Sequence, residues 1–248
     1  MLKVDSVNKS YKKGGFFSKE RQQVLKNVSF ECGSGECLGI IGESGSGKST
    51  LGRLIVGIEK PDHGNVLFDG KNVGNRIVRL GAISAVFQDY KSSINPFFTV
   101  EKAIMEPLQV QNKNQIENQN KIDNLLYQVG LDPSYRKKYP HELSGGEAQR
   151  VCIARAISTE PKCILLDEAI SSLDISIQIQ ILELLKELKK IYNMSYVFIT
   201  HDIQAAVYIC DRVIIFKDGQ IEETVKIEQL KDVQSEYAKK LLHMLITF

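Results

Sequence analysis

The 248-residue chain lacks any apolar run long enough to cross a bilayer, since a spanning helix needs about 20 consecutive apolar residues. It opens Met1-Leu2-Lys3-Val4-Asp5, a short charged start without a leader's apolar stretch, so no signal peptide is expected. An excess of one charge sign is missing too. Lys and Arg number 32 against 30 Asp and Glu, a formal net charge of +2, so no global field draws the chain to nucleic acid. The lysine pairs Lys12-Lys13, Lys137-Lys138 and Lys189-Lys190 read as solvated faces. The 4 histidines show no H-E-x-x-H and the 5 cysteines no C-x-x-C, which argues against a structural zinc site. The odd cysteine count, with Cys37, Cys152 and Cys163 in apolar segments, points to buried free thiols in a reducing compartment. No internal repeat is visible. Composition is otherwise ordinary, 43% apolar and 25% charged. A chain of this length can bury a full core as one large α/β domain, or as a core with a smaller lobe.

Hydrophobic patterning predicts the elements. Leu2 to Tyr11 alternates weakly and reads as an edge strand. Gly14 to Ser18 reads as a hairpin tip, and Val24 to Cys32 as the returning strand. Cys37 to Ile41 is a buried strand, and a helix begins near Lys48. Val66 to Phe68 enters a turn at Asp69-Gly70, and Ile83 to Phe87 is a strand ending at Gln88. Residues 95 to 138 change character. Asn95-Pro96 breaks the chain, Thr99-Val100-Glu101 starts a helix, and residues 111 to 124 are rich in Asn, Gln and Lys. Ile122, Leu125, Leu126 and Val129 then sit at helical spacing before a C-capping Gly130. A long helix runs from Ser144 to Ile157, and Ile164 to Leu166 is a strand buried on both faces. Ile177, Ile181, Leu184, Leu185, Leu188 and Ile191 mark an amphipathic helix. Tyr196 to Thr200 is a strand, Ala205 to Cys210 a helix, and Val213 to Phe216 a strand turning at Asp218-Gly219. The tail is expected to be helical. Strands alternating with helices predict a mostly parallel α/β sheet.

Gly42-Glu43-Ser44-Gly45-Ser46-Gly47-Lys48-Ser49-Thr50 carries the chemistry. It reads G-x-x-x-x-G-K-S between a strand and a helix, the context a phosphate-binding loop requires. Glycines let the backbone curl so that N–H groups point inward at phosphate oxygens, and the helix adds its positive end. Lys48 would reach the β- and γ-phosphates, and the Ser49 hydroxyl would ligate Mg²⁺. Asp167 and Glu168 follow a buried strand, at the edge where parallel sheets bind ligands. Asp167 can hold Mg²⁺, and Glu168 can orient or deprotonate an attacking water. Ser144-Gly145-Gly146-Glu147 is first a capping box. Its paired glycines can also expose N–H groups to an anion, but not the phosphate that Lys48 already holds, so a second molecule would bring that one.

Leu143-Ser144-Gly145-Gly146-Glu147 with Ala148-Gln149-Arg150 resembles the signature of ATP-binding cassette proteins. The following Asp-Glu strand, the loop Ser171-Ser172-Leu173-Asp174, the histidine His201 after a strand, Gln88 at a strand end and the aromatic Tyr11 match that family's further motifs in order, over nearly the whole chain. The resemblance implies a P-loop NTPase core with a mostly parallel sheet, an N-terminal antiparallel β-subdomain and a helical subdomain bearing the signature. As one domain over 1–248 it places the catalytic core and β-subdomain in 1–88 and 160–220, the helical subdomain in about 89–159, and a short helical tail in about 221–248. Two such subunits would sandwich two ATP molecules head to tail. Tyr11 would stack on adenine, Gly42 through Thr50 hold phosphates, and Ser49, Gln88 and Asp167 surround Mg²⁺. Glu168 would be the general base and His201 would contact the γ-phosphate, with Lys48 and Gln88 completing the catalytic set. Ser144, Gly145, Gly146, Glu147 and Asp174 would face the partner's ATP. With these positions intact, an active ATPase is expected.

Three segments resemble the peptide and nickel importer family: Lys138 through Gly146, Gln88-Asp89 through Thr99-Val100, and Gly57 through Gly64. This implies a second, different ATPase subunit, two membrane permeases, an extracytoplasmic solute-binding protein, and a place on the cytoplasmic face of the membrane. The cargo would be peptides, nickel or other metals and metal chelates. The chain looks like the second, shorter ATPase of such a pair. It departs from the family at Tyr90-Lys91 and Phe97, which with Phe98 would face the permease, and at Ala169-Ile170, where Pro-Thr is common. The Cys-bearing C-terminal extension of peptide-importer subunits is not seen, which favours a metal or metal-chelate cargo. The alternative is a soluble cassette ATPase of translation, repair or cofactor assembly, which usually carries two cassettes or a coiled-coil insertion. A P-loop GTPase or kinase would need other motifs, such as N-K-x-D, and a non-enzymatic ATP switch would not need Glu168.

Overall fold

The computed structural model of the chain describes residues 1–13, 20–89, 93–110 and 115–246. The expected hairpin tip at Gly14–Ser18, Tyr90-Lys91 and part of the Asn/Gln-rich segment lie outside these residues. Two compact units emerge, Met1–Arg79 with Ser195–Phe248, and Leu80–Met194.

The first unit holds an antiparallel sheet of β1 (Leu2–Lys12), β2 (Arg21–Cys32), β4 (His63–Phe68) and β5 (Lys71–Asn72), in the order β2-β1-β4-β5. The expectation that the first strand lies at an edge is therefore wrong. β1 sits inside the sheet, with Leu2 opposite Cys32 on one side and Phe68 on the other. Leu2, Val4 and Val7 are buried, and alternation of this kind marks a half-covered strand at an edge or inside a sheet alike.

The same unit carries β3 (Cys37–Ile41), which pairs in parallel with β8 (Ser195–Thr200) and with β9 (Arg212–Lys217). Every residue of β3 and β8 is buried, the near-continuous apolar pattern of parallel strands covered on both faces. β10 (Gln220–Lys226) returns antiparallel to β9. The segment expected to be a helical tail from about 221 thus begins as a strand. A 3₁₀ segment at Ile227–Asp232 and α8 (Glu236–Ile246) follow it. Helices α1 (Lys48–Ile55), α2 (Arg76–Arg79) and α7 (Ile203–Ile209) also belong to the unit.

The second unit pairs β6 (Ile83–Phe87) in parallel with β7 (Cys163–Asp167). Among the described residues its longer helices are α3 (Val100–Val110), α4 (Gln115–Gln128), α5 (Gly145–Ile157) and α6 (Ile175–Tyr192). The predicted stripe Ile122, Leu125, Leu126 and Val129 is fully buried, and Gly130 ends it at φ 72°. Arg136 ties α3 to α4, with Glu101 at 2.8 Å and Asp123 at 3.0 Å. These partners raise the Arg136 pKa, Glu101 foremost. Along α6 the buried face runs from Ile181 to Leu188. Ile191, expected in that stripe, is 63% exposed.

The architecture is α/β, with parallel core strands, an N-terminal antiparallel sheet and a set of helices, as the motifs imply. Among the described residues no helix is long and apolar enough to cross a membrane. All five cysteines are buried free thiols.

Candidate functional site

In the first unit, parallel register delivers two predicted elements to one sheet edge. Ile41 lies opposite Thr200, so the loop starting at Gly42 and the residue His201 leave neighbouring strands side by side. The loop itself is shaped by contact. A Cβ on Gly42 would stand 2.1 Å from the Phe216 carbonyl oxygen, which no side chain survives. Gly47 caps α1 at φ 105°, in the left-handed region that favours glycine. The Ser46 carbonyl accepts from Gly219 N–H at 2.9 Å, which ties the loop to the turn after β9. Lys48 is buried, and its ammonium donates to the carbonyls of Gly42 and Glu43, each at 2.8 Å. The lysine is thus folded over the loop, with its charge held at the loop's mouth. Thr50 is buried and accepts from Arg53 at 3.1 Å.

Tyr11 lies half-buried in a polar cluster. Its hydroxyl donates to Glu59 at 2.6 Å and lies 3.4 Å from Arg53, which also bonds Glu59 at 2.6 Å. Burial opposes ionisation of Glu59, but the bonds from Tyr11 and Arg53 outweigh it and hold the carboxyl below its usual range. The Lys9 ammonium sits 5.4 Å from the Tyr11 ring centre. His201 is exposed at the mouth of the next loop. Thr200 Oγ1 accepts from Asp202 N–H at 2.9 Å, and Asp202 caps α7 through Ala205 N–H at 3.1 Å, which fixes the backbone on either side of that histidine.

In the second unit the same device operates. Phe87 is in register with Asp167, so Gln88 and Glu168 emerge together at the carboxyl edge. Asp167 is 6% exposed. Glu168 adopts φ 52°, a left-handed conformation that non-glycine residues enter at a cost and that clusters at functional sites. Ser171 locks it there, with N–H at 3.2 Å and hydroxyl at 3.0 Å from the Glu168 carbonyl. The chain then runs through Leu173 to Asp174, the N-cap of α6.

The signature forms the expected capping box. Ser144 Oγ accepts from Glu147 N–H at 3.3 Å, and Glu147 Oε2 accepts from Ser144 N–H at 2.7 Å. The other Glu147 oxygen accepts from the Tyr135 hydroxyl. The Tyr135 bond, then the Ser144 N–H, lowers the Glu147 pKa. Both oxygens of this carboxylate are therefore engaged within the chain. A cleft of about 560 Å³ lies in the same unit between β6, the Pro107 turn of α3, and Cys152, Arg155 and Ala156 of α5. Arg155 spans it, bonding Glu106 and the Ser93 carbonyl at 2.7 and 2.9 Å. Phe97, four residues beyond Ser93, is 83% exposed.

Sequence reasoning missed three bracing residues. Gln178 donates its amide to the carbonyls of Ile170 and Leu173, at 3.1 and 3.0 Å, and so staples the loop between Glu168 and Asp174. Tyr135 holds Glu147. Tyr237 of α8 accepts from Glu43 N–H at 3.3 Å. Gln178 carries one sequence signal, a polar residue one turn after the α6 cap. The other two carry none, because their partners lie in other elements: Glu147 in the first turn of α5 and Glu43 in the phosphate-binding loop. Among the described residues no group of three or more His, Cys, Asp and Glu side chains could hold a metal ion.

Comparison with known proteins identifies the family. The family model described as ABC transporter matches residues 25–171. The metal-staphylopine import system ATP-binding protein CntF of Staphylococcus aureus (strain NCTC 8325 / PS 47) is 50% identical over 249 residues, covering 100% of both chains. The nickel import ATP-binding protein NikE of Escherichia coli O157:H7 is 38% identical over 99% of this chain and 94% of its own. Among solved structures, the dimeric post-hydrolysis state of the ATP-binding cassette MJ0796 bound to ADP and Pi superposes with a TM-score of 0.82. It is 33% identical, over 92% of this chain and 99% of that one. With the strand edges, loop and signature in the expected places, the chain belongs to the ABC transporter family as an ATP-binding, ATP-hydrolysing subunit.

Proposed function

We propose that this chain energises a membrane importer of metal ions or metal chelates. The observation that carries this reading is the 50% identity, over its full length, to an ATP-binding protein of metal-staphylopine import. The nickel import relative supports the same cargo class. The assembly would contain a second ATPase subunit, two permeases and, at one remove, a solute-binding protein, with this chain held at the cytoplasmic face by the permeases. The cleft beside α5, with exposed Phe97 nearby, is the surface we assign to a permease. We assign catalysis to 1–88 and 160–220 and the signature to a helical subdomain in 89–159.

In this reading Tyr11 meets the adenine. Amides of the loop from Gly42 to Thr50 wrap the phosphates, and Lys48 releases its loop carbonyls to bond the β- and γ-phosphates. Ser49, Gln88 and Asp167 offer a hydroxyl, an amide oxygen and a carboxylate. These are hard oxygen donors of the kind Mg²⁺ accepts, and the ion when bound would neutralise phosphate charge. Glu168 takes a proton from the water attacking the γ-phosphorus, and His201 bonds that phosphate's oxygens. Ser144, Gly145 and Gly146 meet the ATP of the second subunit, and Asp174 faces it across the interface. Glu147 acts through its cap.

Two measurements test the reading. A Glu168→Gln variant should bind ATP and lose most of its turnover; unchanged steady-state hydrolysis would refute the base assignment. Deleting the coding sequence should abolish energy-dependent uptake of nickel or of a metallophore complex. Unaltered uptake of both, with loss of peptide uptake, would move the cargo to peptides.

A further inference from the structure

Gly146 is the second residue of α5, in the turn capped by Ser144. A Cβ placed there would stand 2.8 Å from Ile177 Cγ2, closer than carbon atoms pack. The next two atoms it would meet are Ile177 Cδ1 at 3.9 Å and Cγ1 at 4.0 Å. All three lie beyond the Cβ of one side chain. Ile177 is itself in the first turn of α6, and its N–H bonds the Asp174 carbonyl at 2.9 Å. Its flanking residues Ile175 and Ile179 are 76% and 51% exposed, so in this turn Ile177 is the isoleucine turned toward α5. The side chain cannot easily yield, because a β-branched residue in a helix has one strongly preferred χ1 rotamer. Gln178, next along, fastens the loop leading into α6 from the other side.

We infer that Ile177 is a positioning residue which keys the first turn of α5 to the first turn of α6, so that the Ser144–Gly146 segment and Asp174 are held as one piece. Gly146 is then required by the methyl of its own chain's Ile177, whether or not an ATP of a second subunit approaches it. The inference rests on the reading above that both segments serve ATP turnover. It assigns to Ile177 a role that neither motif contains.

A rescue experiment separates the steric key from direct contact with nucleotide. ATP hydrolysis is measured on the full-length chain in its assembled complex, as kcat and KM, with thermal unfolding recorded for every variant. Gly146→Ala should lower kcat at least tenfold while the protein stays folded, although alanine is the better helix former. Adding Ile177→Ala removes all three obstructing atoms and should restore kcat to within about threefold of the parent. Adding Ile177→Val instead keeps a γ-methyl on each branch and should rescue nothing. Ile177→Ala alone loosens the key and should lower kcat by about two- to threefold with KM for ATP little changed; an unchanged kcat overturns the positioning role. The inference is overturned if Gly146→Ala is fully active, if the Ala/Ala pair stays as impaired as Gly146→Ala, or if valine rescues as well as alanine. The underlying reading fails differently: the parent complex would not hydrolyse ATP, or Lys48→Ala would leave its hydrolysis intact.

Discussion

Glu168 offers a way to separate backbone strain from chemistry at one position. Its φ of 52° costs a residue with a Cβ on the order of 1–2 kcal/mol. Glycine at this position removes that cost but returns about 0.5–1 kcal/mol through the greater freedom of the unfolded chain. The balance is a gain of about 0.5–1 kcal/mol, or a Tm rise of roughly 1–4 °C for a chain of this size. The bonds from Ser171 go to the Glu168 carbonyl, so glycine keeps them. Glu168→Gln keeps the strained backbone and should melt within a degree of the parent. If Glu168 is the base, both variants should lose about 10²–10⁴ in turnover. Thermal unfolding by circular dichroism, paired with phosphate release, reads both quantities. A Glu168→Gly protein that melts more than 2 °C below the parent would refute the strain argument. It would mean that the side chain contributes more to folding than its backbone costs.

The five buried thiols should not react with a disulfide reagent at pH 8 in the native protein, and all should react after denaturation. Burial pushes the Cys152 thiol up to about 12, and a thiol that reacts on mixing would contradict the packing. Glu59 supplies a pH test. Its carboxyl is held below the ordinary 4.5 in the folded state, so its stabilisation is present above that value and lost as pH falls through the folded pKa. Glu59→Gln should therefore lower Tm at pH 7, with the difference from the parent shrinking as pH drops below 4.5; a constant difference would exclude an ionised Glu59. Gln149 is fully buried in α5, and neither end of its amide has a hydrogen-bond partner among the described residues. Replacing such a group with an apolar one of similar size is nearly neutral or stabilising, so Gln149→Leu should melt at or above the parent temperature, and a large drop would show that the amide is paired.

What the sequence made legible divides along one physical line. The loop from Gly42 to Thr50, the Asp167-Glu168 strand end and the capping box at Ser144–Glu147 are local devices. Each is written in consecutive residues, because a turn, a cap or a strand end is decided within a few bonds. Contacts between such devices are decided by packing, which consecutive residues do not record. Alternation in β1 announced a strand, yet its central place depends on β4 arriving on its second side. The apolar spacing of α6 ran on to Ile191, yet the core beneath that helix ends at Leu188. Tyr135 and Tyr237 belong to no motif in the sequence, yet each places a hydroxyl on a backbone or carboxylate group of another segment. Ile177 is the sharpest case. Helical spacing put it in an apolar stripe, and motif reading put Gly146 in the signature. Only the fold brings a methyl of one to 2.8 Å from where the other's side chain would begin, and so gives the glycine a reason in its own chain that its motif alone does not supply.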